Sequence, residues 1–182
     1  IRPRSPAGQL IDGNYRVIRT LAVGGMGTVL HAHDLALQRD VAIKLIRPEL
    51  LRDSSIREAF VAEARMTARI NHPSVVGIHA LGQLGEAPYL VLEYVAGQSL
   101  EDFVSSQSGS RLELDEALYF LELIADGVDG IHAAGCVHRD LKPANIMVTP
   151  GRRIKIVDLG VAQPLRSASP GLAGTPHYMA PE

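Results

Sequence analysis

The chain has 182 residues, 46% hydrophobic and 21% charged, a composition typical of a soluble globular protein of one domain or of two lobes sharing a cleft. Its formal net charge of −2 argues against a nucleic-acid surface, and its single cysteine, Cys136, excludes a disulfide framework and a cysteine-based zinc site. The single cysteine fits a reducing compartment. No apolar run approaches the ~18 residues that span a bilayer, and no signal peptide is visible. Because the chain opens on Ile1 rather than Met, we expect a segment cut from a longer protein.

The first twelve residues, which include the Pro- and Arg-rich "IRPRSPAG", are predicted to be a linker or arm. Strand-like alternation follows in "YRVIRTLAV", "GTVLHAHD" and "DVAIKLI", which are separated by turn residues. Residues 54–70 are predicted to be a helix, because Phe60, Ala64, Met66 and Ile70 form an apolar stripe. "SVVGIHALGQ" and "APYLVLEYV" then predict two more strands with a turn between them.

In the second half, "SSQSGS" is predicted to be a polar loop, and residues 114–134 give the clearest helical pattern of the chain. Short strands around "NIMV" and "RIKIVD" complete the prediction. We therefore expect an α+β arrangement in two parts, the first mostly sheet and the second led by a helix. The apolar stripe of that helix consists of Leu114, Leu118, Leu121, Ile124, Val128 and Ile131.

Lys44 is the first charged residue that a purely structural role explains poorly. In "VAIKLI" it lies in mid-strand among apolar neighbours, and on base rates it is an edge lysine that protects against aggregation. Glu63 changes this estimate, because it lies within the apolar stripe of the predicted helix, where an unpaired acid costs about 3–5 kcal/mol. Arg57 and Arg65 lack good helical spacing to Glu63, so we favour an ion pair with Lys44.

The stretch "LAVGGMGTVL" places Gly24 and Gly27 after a strand, where the backbone must turn tightly or approach another group closely. A single glycine loop is weak evidence and is most often only a hairpin. A dinucleotide fingerprint or a P-loop would continue into a helix, whereas "TVLHA" alternates as a strand. We therefore interpret this stretch as a glycine hairpin that matches neither motif.

Two oxygen-bearing side chains suggest a site for a hard cation. Asp158 ends an apolar strand, where an acid is also a common turn-former, and Asn145 lies one short hairpin earlier. Together they offer two oxygen ligands suited to Mg²⁺. His31 and His33 share a strand face but lack a third ligand nearby, so we interpret them as surface residues.

The densest cluster of charge is "HRDLKPAN", which lies between the apolar pairs at either end of "CVHRDLKPANIMV". A solvated turn does not require this combination of a base, two cations, an acid and an amide. The chain also contains, in order, "GGMGTV", "VAIK", Glu63, "DLG" and "GTPHYMAPE". In this order and spacing the six motifs resemble those of the eukaryotic-type Ser/Thr protein kinases, and their sequences are typical of the bacterial branch. The resemblance covers the chain from about Tyr15 to Glu182.

This resemblance implies a truncated two-lobed kinase fold: an N-lobe and hinge over residues 13–95, with a five-stranded antiparallel sheet and one helix, and an incomplete C-lobe over residues 96–182. It also implies ATP and Mg²⁺ as cofactors, with Asp140 as the catalytic base. The other implied catalytic residues are Lys142, Asn145 and Thr175, and the implied metal ligands are Asn145 and Asp158. The implied nucleotide-binding residues are Leu21, Ala22, Val23, Gly24, Gly25, Met26, Gly27, Val29, Ala42, Lys44, Glu63, Leu92, Glu93, Val95 and Met147.

The resemblance also implies regulation, since Arg139 would pair with a phosphate on Ser167 or Ser169; that these are ordinary loop serines is about as plausible. Two positions depart from the family pattern. Ala22 replaces the first glycine of the loop, at a cost of about 1 kcal/mol in backbone freedom. Leu159 replaces the usual Phe of the metal-binding triplet.

Three hypotheses about function stay open at this point. The first is a Ser/Thr protein kinase that phosphorylates proteins, itself or a second copy in a homodimer. The second is a truncated or pseudokinase-like nucleotide-binding module that acts by binding partners, and the third is a non-functional gene fragment. The resemblance implies no nucleic-acid partner, and a cytoplasmic location either as such or as the cytoplasmic portion of a longer membrane-anchored protein.

Overall fold

The computed structural model describes residues 7–25, 27–47, 49–50, 54–158, 163–164 and 175–178. The chain divides into two compact units, one up to Arg65 together with Ile78–Tyr94, the other Met66–Gly77 together with the chain from Val95 onward. The helices are α1 (Ser54–Thr67), α2 (Leu100–Ser105) and α3 (Leu114–Ala133). The strands are β1 (Leu10–Ile11), β2 (Tyr15–Val23), β3 (Gly27–Asp34), β4 (Arg39–Ile46), β5 (Ile78–Leu84), β6 (Ala87–Glu93), β7 (Gln98–Ser99), β8 (Cys136–Val137), β9 (Ile146–Val148), β10 (Ile154–Ile156) and β11 (Gln163–Pro164).

The first unit contains a six-stranded antiparallel sheet in the order β1-β2-β3-β4-β6-β5. Five of these strands are the predicted ones, and the α+β expectation is confirmed. The sixth, β1, consists of two residues at the end of the segment predicted as an arm, and two residues are too few to show the alternation that predicts a strand. The predicted strand from residue 74 begins only at Ile78, because Val75 instead forms a parallel bridge with Ile156 in the second unit.

Strand β4 shows the alternation that the sequence predicted. Val41 and Ile43 lie in a buried cluster of β2, β3, β4 and β6 side chains, whereas Ile46 lies in a separate cluster with Phe60 and Ala64 of α1. The helix α1 ends at Thr67 rather than at residue 70. The sequence "NHP" follows soon after, and a proline disfavours helical geometry in the residue before it.

The second unit is built on α3 and the β9–β10 hairpin, whose Ile154 and Ile156 are buried together with Phe120 and Ile131 of the helix. The stretch between β8 and β9 holds the "HRDLKPAN" residues, so this hairpin fixes one end of the charged cluster. None of the helices in the described part of the chain is long and apolar enough to span a bilayer.

The apolar stripe predicted for α3 is divided in the structure. Ile124, Val128 and Ile131 pack in the core, whereas the leucines of the first half of the stripe are exposed. A three-and-four repeat drifts around a 3.6-residue helix by about 20° per heptad, so the two ends of the stripe point in different directions. The exposed members are Leu114, Leu118 and Leu121.

Candidate active site

Asp140 is the centre of the charged cluster. Its Oδ1 atom accepts a hydrogen bond from the Thr175 hydroxyl at 2.7 Å, and its Oδ2 atom accepts from Lys142 Nζ at 2.8 Å and from Asn145 Nδ2 at 3.1 Å. Lys142 Nζ also donates to Thr175 Oγ1 at 2.7 Å, which closes a ring of three side chains. A carboxylate offers about four acceptor positions, and these three donors leave room for one incoming hydroxyl group.

These contacts keep the Asp140 carboxyl group ionised. Burial alone would raise its pKa, but the hydrogen bonds from Lys142, Thr175 and Asn145 and the charge of Lys142 outweigh burial and hold the pKa below its ordinary value. The structure therefore brings together all four residues that the sequence predicted to be catalytic. An ionised carboxylate with one free acceptor position is suited to orient a hydroxyl group and to receive its proton.

The ring of His138 holds the backbone of Asp140 through a hydrogen bond. Its Nδ1 atom accepts the Asp140 backbone N–H at 3.3 Å, so the ring proton must lie on Nε2, which donates to the Val157 carbonyl at 3.2 Å. His138 is buried, and this burial is the main reason why its pKa is lowered. The neutral imidazole thus connects the loop to the residue that precedes Asp158.

Arg139 and Asp158 have backbone φ angles of 66° and 58°, in the left-handed region that residues with a Cβ atom adopt rarely. Such strained residues concentrate at functional sites, where the surrounding structure holds them in place. These two residues lie next to Asp140 and just after the β9–β10 hairpin, whereas the other described residues with a Cβ atom and a positive φ angle are Asp12, Gln38, Ser110 and Arg152. The two positions predicted to be phosphorylated near Arg139, Ser167 and Ser169, lie outside the described residues, as does Leu159.

Asn145 and Asp158 come from the same end of the β9–β10 hairpin, because Asn145 directly precedes β9 and Asp158 closely follows β10. The Asn145 carbonyl accepts the Val157 N–H at 2.9 Å. Both amide hydrogens of Asn145 are used by Asp140, one by its backbone oxygen at 2.8 Å and one by its carboxylate, so the side-chain oxygen Oδ1 is the atom left to face a cation.

This donor set fits Mg²⁺. The ion prefers oxygen ligands, and proteins often hold it with one or two side chains plus substrate phosphates and water. No group of three or more His, Cys, Asp or Glu side chains able to hold a metal occurs among the described residues.

The glycine hairpin separates into two kinds of glycine. A Cβ atom on Gly27 would lie 1.9 Å from the Leu45 carbonyl oxygen, so the pairing of β3 with β4 itself requires glycine there. Among the described residues other than its chain neighbours, no atom lies within 4 Å of such a Cβ at Gly25, and at Gly24 the nearest is 4.0 Å away. The fold of the first unit therefore gives no reason for Gly24 or Gly25, although the Gly24 N–H bonds to the Gly27 carbonyl at 2.8 Å.

The other predicted nucleotide-binding residues of the first unit follow its sheet. Val29 lies opposite Lys44, and Ala42 lies opposite Leu92, so side chains of neighbouring strands share one face of the sheet, which we call the Lys44 face. Lys44 makes an interaction within the protein. Leu21, Ala22 and Val23 are exposed at the end of β2, Glu93 ends β6 shortly before Val95, and Met147 is half-buried in β9 of the second unit.

Two of the predicted residues cannot be placed in this way. Glu63 lies in the middle of α1, but its side chain is outside the described part of the structure, so the expected ion pair with Lys44 stays a prediction. Met26 of the glycine hairpin is outside it as well.

The interpretation of His31 as a surface residue is wrong. Only 8% of His31 is exposed, and its ring stacks on that of Tyr94 with centroids 3.8 Å apart and planes 3° apart. Its Nε2 atom lies 3.0 Å from Asp40, whose other carboxylate oxygen lies 2.9 Å from His33 Nδ1. The alternation of β3 placed His31 on the Lys44 face, but nothing in the sequence indicated that Tyr94 covers it.

Comparisons with known proteins identify the family of this chain. Residues 15–182 match the family described as protein kinase domain. Serine/threonine-protein kinase PknA of Mycobacterium tuberculosis is 42% identical to 96% of this chain, which covers 42% of PknA, and serine/threonine-protein kinase PrkC of Bacillus subtilis is 35% identical to 96% of the chain, which covers 27% of PrkC. The chain thus spans less than half the length of these relatives.

A solved structure shares the fold as well. The crystal structure of the M. tuberculosis PknI kinase domain matches 86% of this chain with a TM-score of 0.74 and 27% identity, and the match covers 62% of that domain's chain. The family match, the bacterial relatives and this structural match all agree with the resemblance seen in the sequence. The chain belongs to the protein kinase family, in its bacterial Ser/Thr branch.

Proposed function

We propose that this chain carries the catalytic residues of an ATP-dependent Ser/Thr protein kinase, which transfers the γ-phosphoryl group of ATP to Ser or Thr hydroxyl groups of proteins. The observation that carries the proposal is the set of three hydrogen bonds that the Asp140 carboxylate accepts. Thr175, Lys142 and Asn145 donate them and leave one acceptor position open. The names of the relatives, all Ser/Thr protein kinases, support the same class of acceptor.

In the proposed reaction the substrate hydroxyl donates to the open position on Asp140, which orients the oxygen toward the γ-phosphorus and receives the proton. The new O–P bond forms as the bond to the β,γ-bridging oxygen breaks, and ADP leaves. Lys142 offsets negative charge on the moving phosphoryl group, and the Thr175 hydroxyl fixes Lys142 relative to Asp140. Mg²⁺, held by Asn145 and Asp158, supplies charge neutralisation on the phosphate oxygens when it is bound.

The remaining predicted residues bind ATP in this proposal. Lys44, paired with Glu63, contacts the α- and β-phosphates, and backbone N–H groups of the glycine hairpin cover them. The adenine ring forms hydrogen bonds with the backbone of Glu93 and Val95. Leu92 is the gatekeeper residue beside it. Open space around Gly24 and Gly25 supports a close approach of backbone to nucleotide. The apolar residues around the adenine are Leu21, Val29, Ala42 and Met147.

Regulation and location complete the proposal. Arg139 would pair with a phosphate on Ser167 or Ser169, added by the chain itself or by a second copy. Because ATP is the donor, the proposal places the chain in the cytoplasm, either as a separate protein or as the cytoplasmic part of a longer membrane-anchored one.

The first test is a thermal melt of this chain with and without Mg·ATP, beside the variant Asp158→Ala. At 100 times Kd, ligand binding stabilises a protein by about 2.7 kcal/mol, so a clear rise in melting temperature is expected for the native sequence. The variant should melt normally without ligand and gain little from Mg·ATP. A native sequence that melts cooperatively and gains nothing would contradict the proposed nucleotide site.

The second test is transfer of radiolabelled phosphate from ATP to a Ser- and Thr-containing acceptor protein, beside Asp140→Asn. Loss of a general base lowers the rate by about 10²- to 10⁴-fold, whereas the melt with Mg·ATP should be unchanged. Binding of Mg·ATP without any transfer by the native sequence would instead favour a nucleotide-binding regulatory module.

A further inference from the structure

The stack of Tyr94 on His31 lies at the point where the chain leaves the sheet of the first unit. The pairing of β6 with β4 ends at Val41 and Glu93, so Tyr94 has no partner in that ladder. Tyr94 is also the last residue of the first unit, and Val95 belongs to the second. The backbone of this segment is therefore not fixed by strand pairing, and the contact of the Tyr94 ring with His31 ties it to the sheet.

His31 is itself held in one orientation. The Asp40 carboxylate can only accept, so the proton of His31 lies on Nε2 and that of His33 lies on Nδ1, and each ring donates to a different oxygen of Asp40. The strand register places His33 directly opposite Asp40 and His31 opposite Ala42, which puts both rings on the Lys44 face. The ring of His31 is thus fixed by one hydrogen bond at its edge and by the stacked ring of Tyr94 on its face.

An ordinary core histidine is the simplest alternative, but the hydrogen bonding of the His31 ring counts against it. Its Nδ1 atom is buried and makes no hydrogen bond among the described residues, an arrangement that costs free energy and that a leucine or phenylalanine would avoid. Packing alone would thus favour an apolar side chain at position 31.

We propose that His31 is a positioning residue, which acts through Tyr94 to fix the backbone of Glu93 and Val95 for binding of the adenine ring. This inference rests on the proposed function, because it assigns a role within the same ATP site. Asp40 acts one step further away by holding the His31 ring parallel to Tyr94. His33 contacts the same carboxylate, and its ring does not stack on Tyr94 in the described part of the structure, so it provides a matched control.

The affinity for nucleotide has two parts, one from the phosphate groups and one from the adenine ring. Loss of the stack leaves Lys44 and the glycine hairpin unchanged, so affinity for phosphate groups should persist while affinity gained from adenine falls. A merely structural role would lower both together. The ratio of the affinities for Mg·ATP and Mg·tripolyphosphate therefore distinguishes positioning from general destabilisation.

The experiment measures Kd for both ligands by titration calorimetry on this chain, with variants His31→Leu, His31→Phe and His33→Gln. His31→Leu removes the stack and should raise Kd for Mg·ATP about two- to tenfold, the range expected for one aromatic pair, with Kd for Mg·tripolyphosphate within about twofold of the native value. His31→Phe restores a ring over Tyr94 and should recover most of the affinity for Mg·ATP. His33→Gln should leave both values unchanged.

Each outcome decides the matter. The positioning role is overturned if His31→Leu binds Mg·ATP as the native sequence does, or if it weakens binding of both ligands equally; a failure of His31→Phe to recover more affinity than His31→Leu also argues against the stack. In all these cases the native sequence still binds Mg·ATP, so the proposed function stands. If the native sequence binds neither ligand, the proposed function fails and the role of His31 fails with it.

Discussion

At the scale of single residues, His138 has the clearest consequence for stability. It is buried and neutral, it accepts from the backbone of Asp140, and it donates to Val157. Removal of the ring nitrogens leaves an N–H and a carbonyl group without these partners. We expect His138→Phe to lower the free energy of unfolding by about 1–3 kcal/mol at neutral pH.

The same residue predicts a pH dependence. Burial lowers the pKa of folded His138 below the ordinary value of 6.5, so below pH 6.5 the unfolded chain binds a proton that the folded chain does not. The contribution of His138 is fully present above pH 6.5 and is lost as the pH falls through the folded pKa. In urea denaturation the free energy of unfolding of the native sequence should therefore approach that of His138→Phe as the pH is lowered. A constant or widening difference would contradict this, and the exposed His132, changed to Gln, is the control.

The two kinds of glycine in the hairpin give a second prediction at this scale. Gly27→Ala should cost about 1–3 kcal/mol of stability, because its Cβ would overlap the Leu45 carbonyl. Gly25→Ala has open space and should change stability by less than about 0.5 kcal/mol. Gly25→Ala should nevertheless weaken binding of Mg·ATP, if that glycine is present to let nucleotide approach. Urea denaturation and a nucleotide titration on both variants separate these effects. Unchanged binding of Mg·ATP by Gly25→Ala would contradict a role of Gly25 in the approach of nucleotide.

At the scale of elements, the strands were predictable where side chains alternate between a buried and an open face, as in β4. What the sequence did not show depends on contacts between distant segments. The turn that follows the two-residue strand β1 is held from outside by a hydrogen bond from the Tyr89 hydroxyl to Asp12 at 2.8 Å. His31 was misassigned for a similar reason, since its cover comes from Tyr94, which lies far along the chain.

The bond between Tyr89 and Asp12 can be tested directly. Tyr89 is fully buried and Asp12 lies in the β1–β2 turn, so Tyr89→Phe should lower the free energy of unfolding by about 1–2 kcal/mol. Amide hydrogen exchange should also become faster in β1 and the start of β2, since the change releases their turn. The Tyr15 ring packs edge-on against that of Tyr89, and the Tyr15 hydroxyl makes no hydrogen bond among the described residues. Tyr15→Phe therefore serves as the control. Equal effects of the two changes would show that the hydroxyl of Tyr89 does not anchor the turn.

At the scale of the whole molecule, the order and spacing of six short motifs were enough to predict the fold class and the set of residues around Asp140. Each motif is local, and the contacts of Asp140 with Lys142, Asn145 and Thr175 all lie within the second unit. The sequence could not show how the donors divide among the oxygens of Asp140, or that Gly27 serves the sheet. Those features depend on contacts in three dimensions: Thr175 lies 35 residues along the chain from Asp140, and Gly27 contacts Leu45 of the neighbouring strand.

The exposed leucines of α3 affect the behaviour of the chain as a whole. Leu118 and Leu121 are 54% and 60% exposed and lie one turn apart on the helix, and neighbouring exposed apolar side chains favour association. We expect the double change Leu118→Gln and Leu121→Gln to leave the melting temperature of the chain nearly unchanged and to reduce its self-association in sedimentation velocity experiments. Phe120, on the same helix but 1% exposed, is the matched control, and Phe120→Gln should cost more than about 3 kcal/mol of stability. If the leucine changes lower the melting temperature as much as Phe120→Gln does, that face is covered in solution and the exposed surface is not the cause of association.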